Sequence, residues 1–88
     1  MNKKEKEIAA TIMGNWMIAI DKLNKDSVEY QQESERLSAY KARVKSLFVM
    51  KFDLCLVSDY QKDVLRPFQE ICQKAVEIWM DWKNSEAA

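Results

Sequence analysis

The chain has 88 residues, with 14 basic and 14 acidic side chains, one glycine, one proline and no histidine. Neutrality removes the global field that would draw it to nucleic acid or anionic lipid, and so little Gly and Pro leaves too few turn residues for an all-β fold. Without histidine, the commonest general base and the commonest metal ligand are both missing.

The first segment, "MNKK" followed by "IAATIMGNWMIAI", has the outline of a signal peptide. Glu5 and Glu7 interrupt its basic part, however, and "DKLNK" offers no small-residue cleavage site. A membrane span takes about 20 apolar residues, more than this segment supplies. The expectation is a cytoplasmic protein with no membrane contact. At about 100° per residue, Ile8, Ile12, Trp16, Ala19, Ile20 and Leu23 share one face of a helix over residues 3–24. Away from Ile8 and Ile12, Ala10, Gly14 and Ile18 stand four apart, a spacing of mostly small residues that admits a close backbone. Gly14 costs about 1 kcal/mol of helix propensity relative to Ala, so close packing would be a reason to keep it.

Asn24 to Ser27 interrupts the pattern, and Asp26 or Ser27 supplies an N-cap, with Glu29 at capping-box spacing from Asp26. A second helix follows over 27–51. Tyr30, Leu37, Tyr40, Val44, Leu47 and Phe48 form a stripe of roughly 100°, the width of one buried side. Acids precede bases along it, as the helix dipole favours. An alternative function for the basic stretch 36–51 is contact with nucleic acid through Arg36, Lys41, Arg43 and Lys45. These residues spread around the cylinder beside no groove-reading motif, so this is the weaker reading.

The stretch "KSLFVMKFDLCLVSDY", residues 45–60, follows no clean period. Lys51 falls at the centre of the apolar stripe, and Phe52, Leu54, Cys55, Leu56 and Val57 point all round. No second segment resembles a partner strand, and a lone strand leaves its backbone groups unpaired. The expectation is a helix–helix junction buried at one end of a bundle, restarting at Ser58, with Gln61 at capping-box spacing and Asp53 as the rival cap. Cys55 and Cys72 read as small buried hydrophobes in a reducing compartment. No histidine or third cysteine completes a zinc site, so neither metal nor cofactor is expected.

A third helix over 58–84 aligns Val64, Phe68, Ile71, Ala75, Ile78 and Trp82, with Leu65, Cys72, Val76 and Trp79 beside them. Pro67 requires either a kink near Asp63 or a helix start at Pro67 itself. Residues 85–88 have no anchor and should fray. The fold class is therefore all-α: one domain over 1–88, a small three-helix bundle of long antiparallel helices.

Enzyme signatures are absent from the sequence, and Asp59, Asp63 and Glu70 read as exposed helix carboxylates. The stripes on the first and third helices are broader than the somewhat more than 100° that one-sided packing needs, and soluble monomers seldom leave large apolar areas in water. Trp is moreover the residue most enriched at binding hot spots. The sequence thus points to a protein-binding module of the inhibitor, adaptor, antitoxin or immunity type, acting on a protein partner or as a homodimer. Its expected contact residues are Ala10, Gly14, Met17, Ile18, Trp79 and Trp82.

Overall fold

The computed structural model describes residues 1–54 and 59–87. Three helices account for nearly all of them: α1 (Lys3–Asp21), α2 (Val28–Asp53) and α3 (Arg66–Ala87), with a short π-helical turn, Gln61–Leu65, leading into α3. Among the described residues there is no strand. The part of the 45–60 stretch up to Asp53 continues α2 as helix. Cys55, Leu56, Val57 and the expected cap Ser58 lie outside the described residues.

Local chemistry sets the ends. At α1 the Asn2 side chain accepts from the Glu5 N–H at 2.8 Å, and the Glu5 carboxylate accepts from the Asn2 N–H at 3.4 Å, a complete capping box. The α1–α2 turn is built on Asn24, whose side chain accepts from the Asp26 N–H at 3.0 Å and whose carbonyl accepts from the Ser27 hydroxyl at 2.6 Å. Ser27 is the α2 N-cap: its hydroxyl oxygen accepts from the Tyr30 N–H at 3.2 Å. Of the two expected caps, the structure uses the serine and leaves Asp26 in the turn. Because that turn pulls in residues from Lys22 onward, α1 stops at Asp21, a few residues before the expected position 24.

Pro67 lies in the first turn of α3, one residue after its start at Arg66 and close to the start expected at Pro67 itself. In regular α geometry its ring would collide with the Asp63 carbonyl, which would also lack its N–H partner. The preceding turn is widened instead, with the Arg66 N–H reaching back to the Gln61 carbonyl. Asp59 and Asp63 brace this turn: the Asp59 N–H donates to the Asp63 carboxylate at 2.9 Å, and the Gln61 N–H to the Asp59 carboxylate at 3.0 Å. Helical geometry then runs on to Ala87, through the segment expected to fray.

The helices run up, down, up. The Trp16 and Tyr40 rings stand 5.7 Å apart and the Lys6 ammonium lies 5.9 Å from the Phe48 ring, so α2 descends alongside α1. Gly14 meets Ala75 and Ile78, while the Lys22 ammonium lies 5.7 Å from the Trp82 ring, so α3 ascends parallel to α1. The core is Ala9, Ala10, Met13, Ile20, Leu37, Val44, Phe48, Val64, Ile71 and Ala75. Packing is uneven. α1 and α3 are closely apposed, whereas the 26 residues of α2 bury only Leu37, Val44 and Phe48.

This arrangement rotates α1 away from the face its large apolar residues suggest: Ile20 is in the core and Trp16 packs against it, but the rest of that face is not buried. Ile8 and Ile12, read from sequence as part of the main apolar face, are exposed, and the small-residue side faces α3. The reason is distance. A Cβ placed on Gly14 would stand 2.8 Å from both Cβ and Cγ2 of Ile78 and 3.1 Å from the Ala75 carbonyl oxygen. The two helices approach that closely because glycine leaves the space, and close approach gains dispersion contacts along the whole seam.

The result is flat and open. The Cα radius of gyration is 14.9 Å and the principal extents are 48 × 29 × 19 Å, whereas a compact domain of this length has a radius of about 12 Å. Accessible surface is 6479 Å² for 10.4 kDa, against about 5,400 Å² for a typical monomer of that mass.

Candidate interaction surface

The six contact residues expected from sequence do not form one surface. Ala10 and Gly14 are buried against α3 of the same chain, so the close approach they allow is made internally and they are closed to another molecule in the folded chain. Met17 and Trp79 do come together: both line an open cleft of about 290 Å³ that also takes in Ile20, Tyr30, Leu37 and Lys41. Ile18 is half-buried. Trp79 and Trp82 are half-buried as well, and each is covered on one side by a lysine, Lys83 at 4.7 Å and Lys22 at 5.7 Å from the respective ring. Such contacts fall within the roughly 6 Å reach of a cation over an aromatic face.

Nor do the four basic residues of the nucleic-acid reading share a face. Lys45 lies 6.0 Å from the Phe68 ring and Lys41 acts on Cys72, so both turn toward α3. Arg36 and Arg43 stand roughly 120–180° around the helix from Lys41 and Lys45 at 100° per residue. Arg36 is also engaged, its guanidinium donating to Glu33 at 2.6 Å.

Large apolar side chains are exposed elsewhere. Ile8 is 49% and Ile12 42% exposed on α1, while Leu47 is 48%, Met50 62% and Leu54 86% exposed at the end of α2. The two ring contacts between α1 and α2 set the register: residue 16 lies beside 40 and residue 6 beside 48. Ile8 is therefore level with Leu47. On α1, Ile8 and Ile12 stand on the flank roughly opposite Ala10 and Gly14, and on α2, Leu47, Met50 and Leu54 stand roughly 120–180° from Lys41 and Lys45. Both sets thus lie on the outer side of the α1–α2 pair, away from α3. They make an apolar strip across two helices, interrupted by Arg43, which the same count places on that side and the register places level with Ile12. The junction expected to be buried is so only in part: Phe48 is in the core with Val49 and Phe52 packed against it, whereas Leu47, Met50 and Leu54 are exposed.

Next to the strip, α1 and α2 are fastened by polar contacts. The Trp16 indole N–H donates to the Glu33 carboxylate at 2.9 Å, and the Trp16 ring tilts against Tyr40. The Trp16 hydrogen bond, and after it the Arg36 guanidinium, hold the Glu33 carboxyl below the ordinary glutamate value. At the far end of α2, the Phe52 and Tyr60 rings meet edge to face at 5.5 Å. Cys72 carries a free thiol. Burial pushes its pKa up, against a smaller opposing pull from Lys41, so the thiol form dominates near neutrality. Among the described residues no group of three metal-ligating side chains comes together, and no helix is long and apolar enough to cross a membrane.

Comparison with protein-family models, with curated proteins and with solved structures finds no match for the chain. The strip across α1 and α2 is therefore weighed on its physics alone. Ile8, Ile12 and Leu47 escape a reading by helical period because each also fits a core pattern, whereas Met50 falls outside the α2 stripe. The signal that separates them is the line Ala10–Gly14: once α3 takes that side of α1, Ile8 and Ile12 face outward.

Proposed function

We propose that the protein is a small helical interaction module that acts by binding a protein molecule through the outer face of α1 and α2. The observation that carries this reading is the strip of Ile8, Ile12, Leu47, Met50 and Leu54, exposed on a helix pair that the other described residues leave open on that side. Exposed apolar side chains scattered singly need no explanation, but five on one side of two neighbouring helices have the character of a binding face. Helices also present such residues with little flexibility, which lowers the ordering cost of association. Inhibitor, adaptor, antitoxin and immunity roles all use contacts of this kind. The free Cys72 thiol fits action in the cytoplasm, a reducing compartment.

A photo-crosslinking residue placed at Leu47 in the cells that naturally make the protein tests this. The expected result is a discrete adduct heavier than the monomer, absent when the same group is placed at the exposed Gln73 on α3. No adduct from either position, or equal adducts from both, would remove the basis for the reading.

A further inference from the structure

We draw no further inference here: the strongest candidate, the apolar strip on the outer side of the α1–α2 pair, belongs to the surface already described, and nothing in the structure shows which partner covers it.

Discussion

Replacing Gly14 with alanine pits two effects of known size against each other. Alanine is the better helix former by about 1 kcal/mol, so on an open helix the change would stabilise. Here the added Cβ would meet Cβ and Cγ2 of Ile78 at 2.8 Å and the Ala75 carbonyl oxygen at 3.1 Å. Neither the Cβ nor the carbonyl is the free end of a flexible side chain, so relief requires α1 and α3 to separate along their best-packed seam. Overpacking of this kind costs about 1–3 kcal/mol, and the rigid neighbours place it at the upper end. The net expectation is a loss of about 2 kcal/mol, which for a domain of this size lowers Tm by about 10 °C. Thermal melts followed by far-ultraviolet circular dichroism at about 1 µM keep a micromolar self-contact mostly empty. Adding Ile78→Ala removes the Cγ2 contact and retains the Cβ contact, so Gly14→Ala should cost less in that background by at least about 0.5 kcal/mol. A Gly14→Ala protein that melts at or above the parent would show that the seam is not close, and additivity with Ile78→Ala would show that Ile78 is not what Gly14 accommodates.

The other expectations concern the caps, the core and the one perturbed carboxylate. Ser27→Ala removes the acceptor for the Tyr30 N–H and should cost about 1 kcal/mol of stability in urea unfolding; an unchanged midpoint would place the α2 start elsewhere. Ile71→Ala, in the centre of the core, should cost about 2–5 kcal/mol, whereas Ile12→Ala should stay within about 0.5 kcal/mol at micromolar concentration because Ile12 is exposed. The opposite order would mean that α1 is turned the other way. The Glu33 pKa is lowered in the folded state by Trp16 and Arg36. Its contribution is therefore fully present above the ordinary glutamate pKa and is lost as pH falls through the lowered value. Between about pH 5 and about pH 3, the urea midpoint of the parent should fall further than that of Glu33→Gln, which keeps an acceptor for the indole but does not titrate. Parallel pH profiles would contradict the Trp16–Glu33 bond.

Much of the fold is legible because several local rules agree on it. Sparse turn residues, an Asn–Ser turn with a capping serine, and three segments of helical period lead to the same three helices. Their ends are less legible, since a turn built on Asn24 takes residues from both sides and a periodic count does not register it. Pro67 illustrates a different limit. Sequence offers a kink or a start; the α-helical start falls at Arg66, and what sequence does not offer is the widened turn ahead of it, braced by Asp59 and Asp63. No composition rule reveals that geometry.

Which side of α1 is buried was the harder question, and the proposed surface turns on it. The helix carries two apolar lines, one of large residues through Ile8 and Ile12 and one of small residues through Ala10 and Gly14. Area alone favours burying the large line, since each isoleucine removes more apolar surface from water. Packing favours the small line, because it lets two helix axes draw together and adds contacts along their full length. Within one chain the two cannot both be satisfied by α3, which covers a single side of α1. The structure gives α3 to the small line and α2 to the flank between, leaving Ile8 level with the exposed Leu47 and Ile12 level with Arg43. A monomer would then keep its larger isoleucines in water while a smaller pair of residues lines its closest seam. The proposed binding of a second molecule on the outer face would resolve that conflict: the seam would keep its close approach, and the area term would be recovered across an interface.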